Sequence, residues 1–369
     1  MIKIFYFLLH SLNNQKKNIR PEIRKLFLRP HQQFFNKQKI LLESFLLNTV
    51  DEDPIYVEEL REIIHNLSDI GLKKILLSPE VTFQLGHRKI DKTFLKGAFE
   101  VEEMIEGHKL SLTTKRWSSL GDYYLKNKPF HKVNNSLSLD FNSPLVSVDD
   151  QDSVVYNEKE QQNITNEINN SLALIKKVNP AIYEFIKMTT FVLQIRKNSK
   201  RTYSYSTENY IGRVFMTNPL EHYQNELGLA GGIFHEAIHN YLYIIERFEH
   251  LIRDSYYQEQ NIVSPWSGND IQTHSFMHAI FVWYGLWKLY RITGNYDEYA
   301  KESWRRCQAS SFGFRKNCTI TEPLQKDFFS KVHPDFLEVT QLMQDEIKRT
   351  ENSRMPEGIT QTIGDAVLF

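Results

Sequence analysis

The chain has 369 residues, of which 41% are apolar and 24% charged, and its 45 basic side chains balance 45 acidic ones. This length and apolar share can fill one large core or two ordinary ones, and the balanced charge excludes a field that would draw the protein to nucleic acid or an anionic membrane. The only thiols are Cys307 and Cys318, a usage that fits a reduced, cytoplasmic protein better than a disulfide scaffold.

The apolar run Ile4 to Leu9 is too short for a membrane helix and no small-residue cleavage site follows it, so a buried element is expected. "DPIYVEELREIIHNL" sets Val57, Leu60, Ile63, Ile64 and Leu67 at three- and four-residue steps, the pattern of an amphipathic helix. "GLKKILLSPEVTFQL" is an apolar patch followed by a Pro break. Residues 1–150 are expected to be a mostly helical region suited to recognising a substrate or leader peptide. Residues 133–157 are rich in Asn, Ser and Asp, which predicts loops and short strands at a boundary.

Residues 151–369 are expected to be the catalytic domain. "EKEQQNITNEINNSLALIKKV" predicts a long helix, and "AIYEFIKMTTFVLQI" a helix or a helix running into a strand. "TYSYSTENYIGRVFMTN" has the β-branched and aromatic density of a strand pair. "YQNELGLAGGIFHEAIHNYLYIIERF" predicts a helix carrying His235-Glu236-x-x-His239, and "IQTHSFMHAIFVWYGLWKLYRI" a second helix after the loop "SPWSGND". The fold class is therefore mainly α with a small β-sheet, and the motif points to a metallopeptidase-like, zincin-like helix–loop–helix metal site beside that sheet.

Residues four apart on a helix share a face, so His235 and His239 can converge on one ion, and Glu236 lies about 100° around at the border of the site. Metalloproteases use this pattern for Zn(II) and a general-base Glu. The flanking Leu227, Leu229, Ile233, Phe234, Ile238, Leu242 and Ile245 bury the helix, and buried imidazoles need partners that a metal supplies. The third ligand is the harder assignment. Ile245 stands where one protease subclass has a third His, and the second helix has no Glu or Asp, which disfavours the Glu-ligand proteases. That helix offers His274 and His278. His278, among Phe276, Met277, Ile280 and Phe281, is the expected ligand, and His274 the expected substrate-facing neighbour. Three imidazoles suit Zn(II) and Fe(II) alike, while Asp270 is the second choice that would give a two-His-one-carboxylate set.

"HEAIH", then "SPWSGND", then "HSFMHAIFVWYGLWKLY" resembles the HExxH-type 2-oxoglutarate-dependent peptide β-hydroxylases that modify ribosomally made peptides. "STENYIGRVFMTNP" is similar to that family's strand before the motif helix, and the resemblance covers residues 160–310. It implies Fe(II) held by His235, His239 and His278, with 2-oxoglutarate as cosubstrate and a precursor peptide as substrate. Glu236 would then orient a ligand or water rather than serve as base. A cation must hold the distal carboxylate of 2-oxoglutarate. Arg305 of "ESWRRCQ" is the expected one, with Arg306 and Arg213 as further candidates. The stretch "SGNDIQT" departs from the family by carrying no Arg. The competing expectation is a zinc metallopeptidase in which Glu236 takes a proton from metal-bound water.

Overall fold

Helices dominate the computed structural model, which describes residues 2–11, 21–87, 90–106, 132–133, 137–141, 153–252, 261–315 and 332–351. Cys318 and much of 133–157 lie outside the described residues. The N-terminal apolar run forms helix α1 (Ile2–Ser11), whose Phe5 and Leu9 are fully buried. Next come α2 (Pro21–Thr49), α3 (Pro54–Asn66), α4 (Asp69–Leu76), α5 (Pro79–His87) and α6 (Lys92–Glu106). Strands β1 (Lys132–Val133) and β2 (Leu137–Asp140) precede α7 (Glu158–Val178) and α8 (Pro180–Thr189). Strands β3 (Val192–Arg196), β4 (Ser204–Tyr205) and β5 (Arg213–Thr217) lead through the short α9 (Pro219–Tyr223) into the motif helix α10 (Glu226–Glu246). A hairpin of β6 (Asn261–Val263) and β7 (Asp270–Gln272) is followed by α11 (Thr273–Thr293), α12 (Ala300–Arg315) and α13 (Pro334–Glu351).

Local chemistry sets several of these boundaries. Asp53 caps α3 by accepting from the Tyr56 N–H at 3.2 Å, with Pro54 in the first turn where no N–H is needed. Ser68 caps α4 through the Gly71 N–H, and Asn179 takes the Ala181 and Ile182 N–H groups at the start of α8. Asn225 does the same for α10, accepting from the Gly228 N–H at 2.8 Å.

The chain divides into two compact units, neither of them a continuous stretch. One comprises Leu28–Leu174 and Tyr183–Ile244, so the boundary expected near residue 150 falls inside it. Helices α3, α4 and α6 of this unit close around Val57, Leu60, Leu76, Phe94 and Phe99. Its sheet is mixed, in the order β1-β2-β3-β5-β4. Strands β2, β3 and β5 run parallel, with Leu193 opposite Val214 and Ile195 opposite Met216, while β1 and β4 pair antiparallel. Every residue of β3 and β5 is buried, as expected of central parallel strands covered on both faces. Helix α10 packs Phe234 and Tyr241 edge-on against Phe185, at 5.7 and 5.6 Å between ring centres.

The other unit comprises Met1–Phe27, Ile175–Ile182 and Ile245–Phe369. The Pro-Trp loop forms the turn of the β6–β7 hairpin. Trp266 is buried there, donating to the Ser310 carbonyl at 2.9 Å and stacking on Trp283. Phe5 of α1 stacks on Phe281 of α11 at 5.1 Å. Among the described residues no helix is long and apolar enough to cross a membrane.

Candidate metal centre

The motif helix reaches its position from β5 through a tight connection. Asn218 and Gln224 take left-handed backbone angles (φ 46° and 61°) on either side of α9. Asn is a residue type that tolerates this conformation, and the Asn218 amide is held by distant segments: its Oδ1 accepts from Tyr156 Oη and from the Asn198 N–H. Gly212 opens β5 with φ 92°, where a Cβ would lie 2.4 Å from the Phe191 ring. Its N–H donates to Asn240 Oδ1 at 2.9 Å, so the Asn that follows the motif ties α10 to the head of β5.

His235 and His239 do converge. Their Nε2 atoms lie 3.2 Å apart, and both rings are half-buried. Burial lowers the pKa of His235 against the opposing pull of Glu236, which favours the neutral imidazole that a metal needs. Metal–nitrogen bonds of about 2.0–2.1 Å separate ligand nitrogens by about 2.9 Å at a right angle and about 3.4 Å at the tetrahedral angle. The spacing of this pair lies between those limits, so the donor set fits Zn(II) or Fe(II). Without an ion the same contact is a hydrogen bond in which one ring donates to the other. Within this unit, among the described residues, no third His, Cys, Asp or Glu places a ligand atom within 4.8 Å of both nitrogens.

Glu236 is buried at 2% exposure, and each carboxylate oxygen has its own hydroxyl donor. Ser204 Oγ donates to Oε1 at 2.7 Å and Ser206 Oγ to Oε2 at 2.8 Å. With the Ser204 proton spent on the carboxylate, the Tyr223 hydroxyl is the donor in its 2.8 Å contact with Ser204 Oγ. The Tyr223 ring lies directly on the helix, because Gly232 has no side chain there: a Cβ would sit 2.2 Å from Cζ of that ring. The chain Tyr223–Ser204–Glu236 therefore depends on one glycine. A third imidazole, His222, is held below its ordinary pKa by burial and then by neighbouring His235.

His278 and His274 belong to the other unit, on α11, where both face Glu246, the last residue of α10. His274 Nε2 lies 2.8 Å from Oε1 and 3.0 Å from Oε2, and His278 Nε2 lies 3.0 Å from Oε2. Burial of Glu246 disfavours its charge, but the His278 charge and hydrogen bonds from both rings outweigh that and draw the carboxyl down to about 2. His278, the third ligand expected from the sequence, thus has its Nε2 against a carboxylate of its own unit. Asp270 lies in β7 and is exposed; the residue at the cap position of α11 is Gln272.

The arginines named from the sequence all have partners. Arg305 is 52% exposed and grips Glu302 with both arms of its fork, Nε to Oε2 at 2.9 Å and Nη2 to Oε1 at 2.8 Å. Arg306 reaches the same Glu302 with its Nε at 2.7 Å and lies over the Tyr290 ring. Arg213 is buried on β5, donating to Gln194 Oε1 at 3.1 Å and stacking on Tyr210.

Sequence reasoning missed Ser204, Ser206, Tyr223, His222 and Glu246. Only Glu246 left a readable signal, being seven residues beyond His239 and so on the same helix face. No protein-family model matches this chain, and no curated protein matches it.

Proposed function

We propose that the protein is an Fe(II)/2-oxoglutarate-dependent hydroxylase acting on the β-carbon of a residue in a ribosomally made peptide, with a zincin-like motif helix and His235 and His239 as metal ligands. When bound, Fe(II) with 2-oxoglutarate and O₂ supplies the oxidation: one oxygen atom enters the C–H bond, the other goes to succinate, and CO₂ leaves. The part played by the chain is positioning. Asn240 fixes the helix against β5, and the neutral ring of His235 is ready to bind a cation.

One observation carries the choice between oxygenase and peptidase: both oxygens of Glu236 are occupied by serine hydroxyls. Two fixed hydroxyl donors, one on each oxygen, hold the carboxylate from both sides and set its direction, which suits a positioning role beside a metal ligand. Glu236 also opposes the effect of burial on His235, raising the basicity of that ligand. Glu236→Gln keeps the shape and one acceptor, so it should lower kcat by about tenfold while 2-oxoglutarate-dependent turnover persists. Complete loss of turnover in this variant, together with peptide cleavage by the zinc-loaded wild type, would instead establish the peptidase reading.

A further inference from the structure

Apart from the motif, α11 and the end of α10 bring three metal-binding groups together. His274 and His278 lie four apart on α11 and share a face, and both Nε2 atoms contact one carboxylate, that of Glu246. Among the described residues, ligand atoms of these three lie within 4.8 Å of one another. The three nitrogen–oxygen contacts of 2.8 to 3.0 Å match the spacing that bonds of about 2.0–2.2 Å impose on neighbouring ligands. We propose that Glu246, His274 and His278 form a metal site of their own, a two-His-one-carboxylate set for a first-row divalent cation of the Zn(II) or Fe(II) kind.

Two imidazoles converge on this one carboxylate, with ring centres 4.4 Å apart. Glu246 thus offers both oxygens to imidazole nitrogens, which sets all three side chains around one point where a single ion could bind. The burial is graded as a metal site requires: the His278 side chain is sealed at 1%, Glu246 is 13% exposed, and His274 is open at 28%, which leaves a side from which an ion can approach. The ion would replace the proton each Nε2 needs to hold the carboxylate without it. A second group, Glu249, His333 and Asp335, is less suited, because the Asp335 N–H already occupies His333 Nδ1.

This site shares no residue with the His235–His239 pair, so the two can fail separately. The test is a titration of the metal-free full-length protein with Zn(II) and with Co(II), counting ions per chain and reading the ligand-field bands of cobalt. Relative to wild type, His274→Ala and Glu246→Gln should each lose one bound ion, or bind it at least about 100-fold more weakly, with unchanged far-UV circular dichroism. A His235→Ala/His239→Ala protein should keep one ion, and adding His274→Ala should remove it. If His274→Ala and Glu246→Gln both bind as many ions as wild type with unaltered cobalt bands, the proposal is wrong. It is equally wrong if the His235→Ala/His239→Ala protein, folded by circular dichroism, binds none. Because His274 is partly exposed, its replacement is the variant expected to fold whatever becomes of His278→Ala.

Discussion

Glu236 has one serine hydroxyl on each carboxylate oxygen, an arrangement that fixes where the carboxylate points. Removing either donor leaves a buried charge short of a partner. Ser204→Ala and Ser206→Ala should therefore each cost about 1.5–3 kcal/mol in urea unfolding, since hydrogen bonds to charged groups are the stronger kind. A cost near zero would mean the carboxylate is satisfied in another way. Gly232→Ala should cost about 1–3 kcal/mol and displace Tyr223 from Ser204, because the new methyl would occupy the space of the ring. None of these contacts is legible in the sequence. Ser204 stands 32 residues before Glu236, and nothing in the local pattern says that an antiparallel edge strand will present its hydroxyl to that helix. The HExxH pairing was legible, because four-residue spacing on a helix is local geometry.

Elements whose signal is periodic lie where the sequence placed them. The stretch 158–178 is one helix, and "AIYEFIKMTTFVLQI" is a helix that runs into β3. The loop "SPWSGND" is instead the turn of a short hairpin, which takes Asp270 into β7 and away from the helix start. A three-residue strand is too short to show alternation, so its pairing decides it. The link between α10 and the sheet is carried by Asn240, fully buried beside an otherwise apolar face. Asn240→Ala would strand the Gly212 N–H at a position whose backbone is already in the left-handed region. The expected loss is about 1–3 kcal/mol, measured by thermal or urea unfolding, with metal affinity reduced as the helix shifts. Unchanged stability would show that the helix is held by packing alone.

For the whole molecule, the two units were the least legible feature, because each gathers segments distant in the chain. Periodicity reports which face of an element is buried and says nothing of which distant segment buries it. Acid stability is a property at this scale. His31 is buried beside Tyr241, and desolvation, aided by Lys73, lowers it to about 3 from 6.5. The unfolded chain therefore binds a proton that the folded chain refuses. The stability tied to the neutral ring is complete above pH 6.5 and drains away as pH falls toward 3. At pH 5 the loss is about 2 kcal/mol. His31→Leu should flatten the stability profile across that window, followed by urea midpoints at several pH values. An unchanged profile would place the acid lability elsewhere, for instance at Glu346, which is held below the usual carboxylate range although burial opposes it, because Lys288 and its hydrogen bonds outweigh burial.

The central claim is an iron centre at His235 and His239 that takes 2-oxoglutarate. Its most direct test is the absorption spectrum of the full-length protein, reconstituted with Fe(II) without oxygen and then given 2-oxoglutarate. The account predicts a weak visible charge-transfer band that needs both additions, persists in Glu236→Gln and disappears in His239→Ala. Absence of the band in a protein that instead retains Zn(II) tightly and cleaves peptides would contradict it.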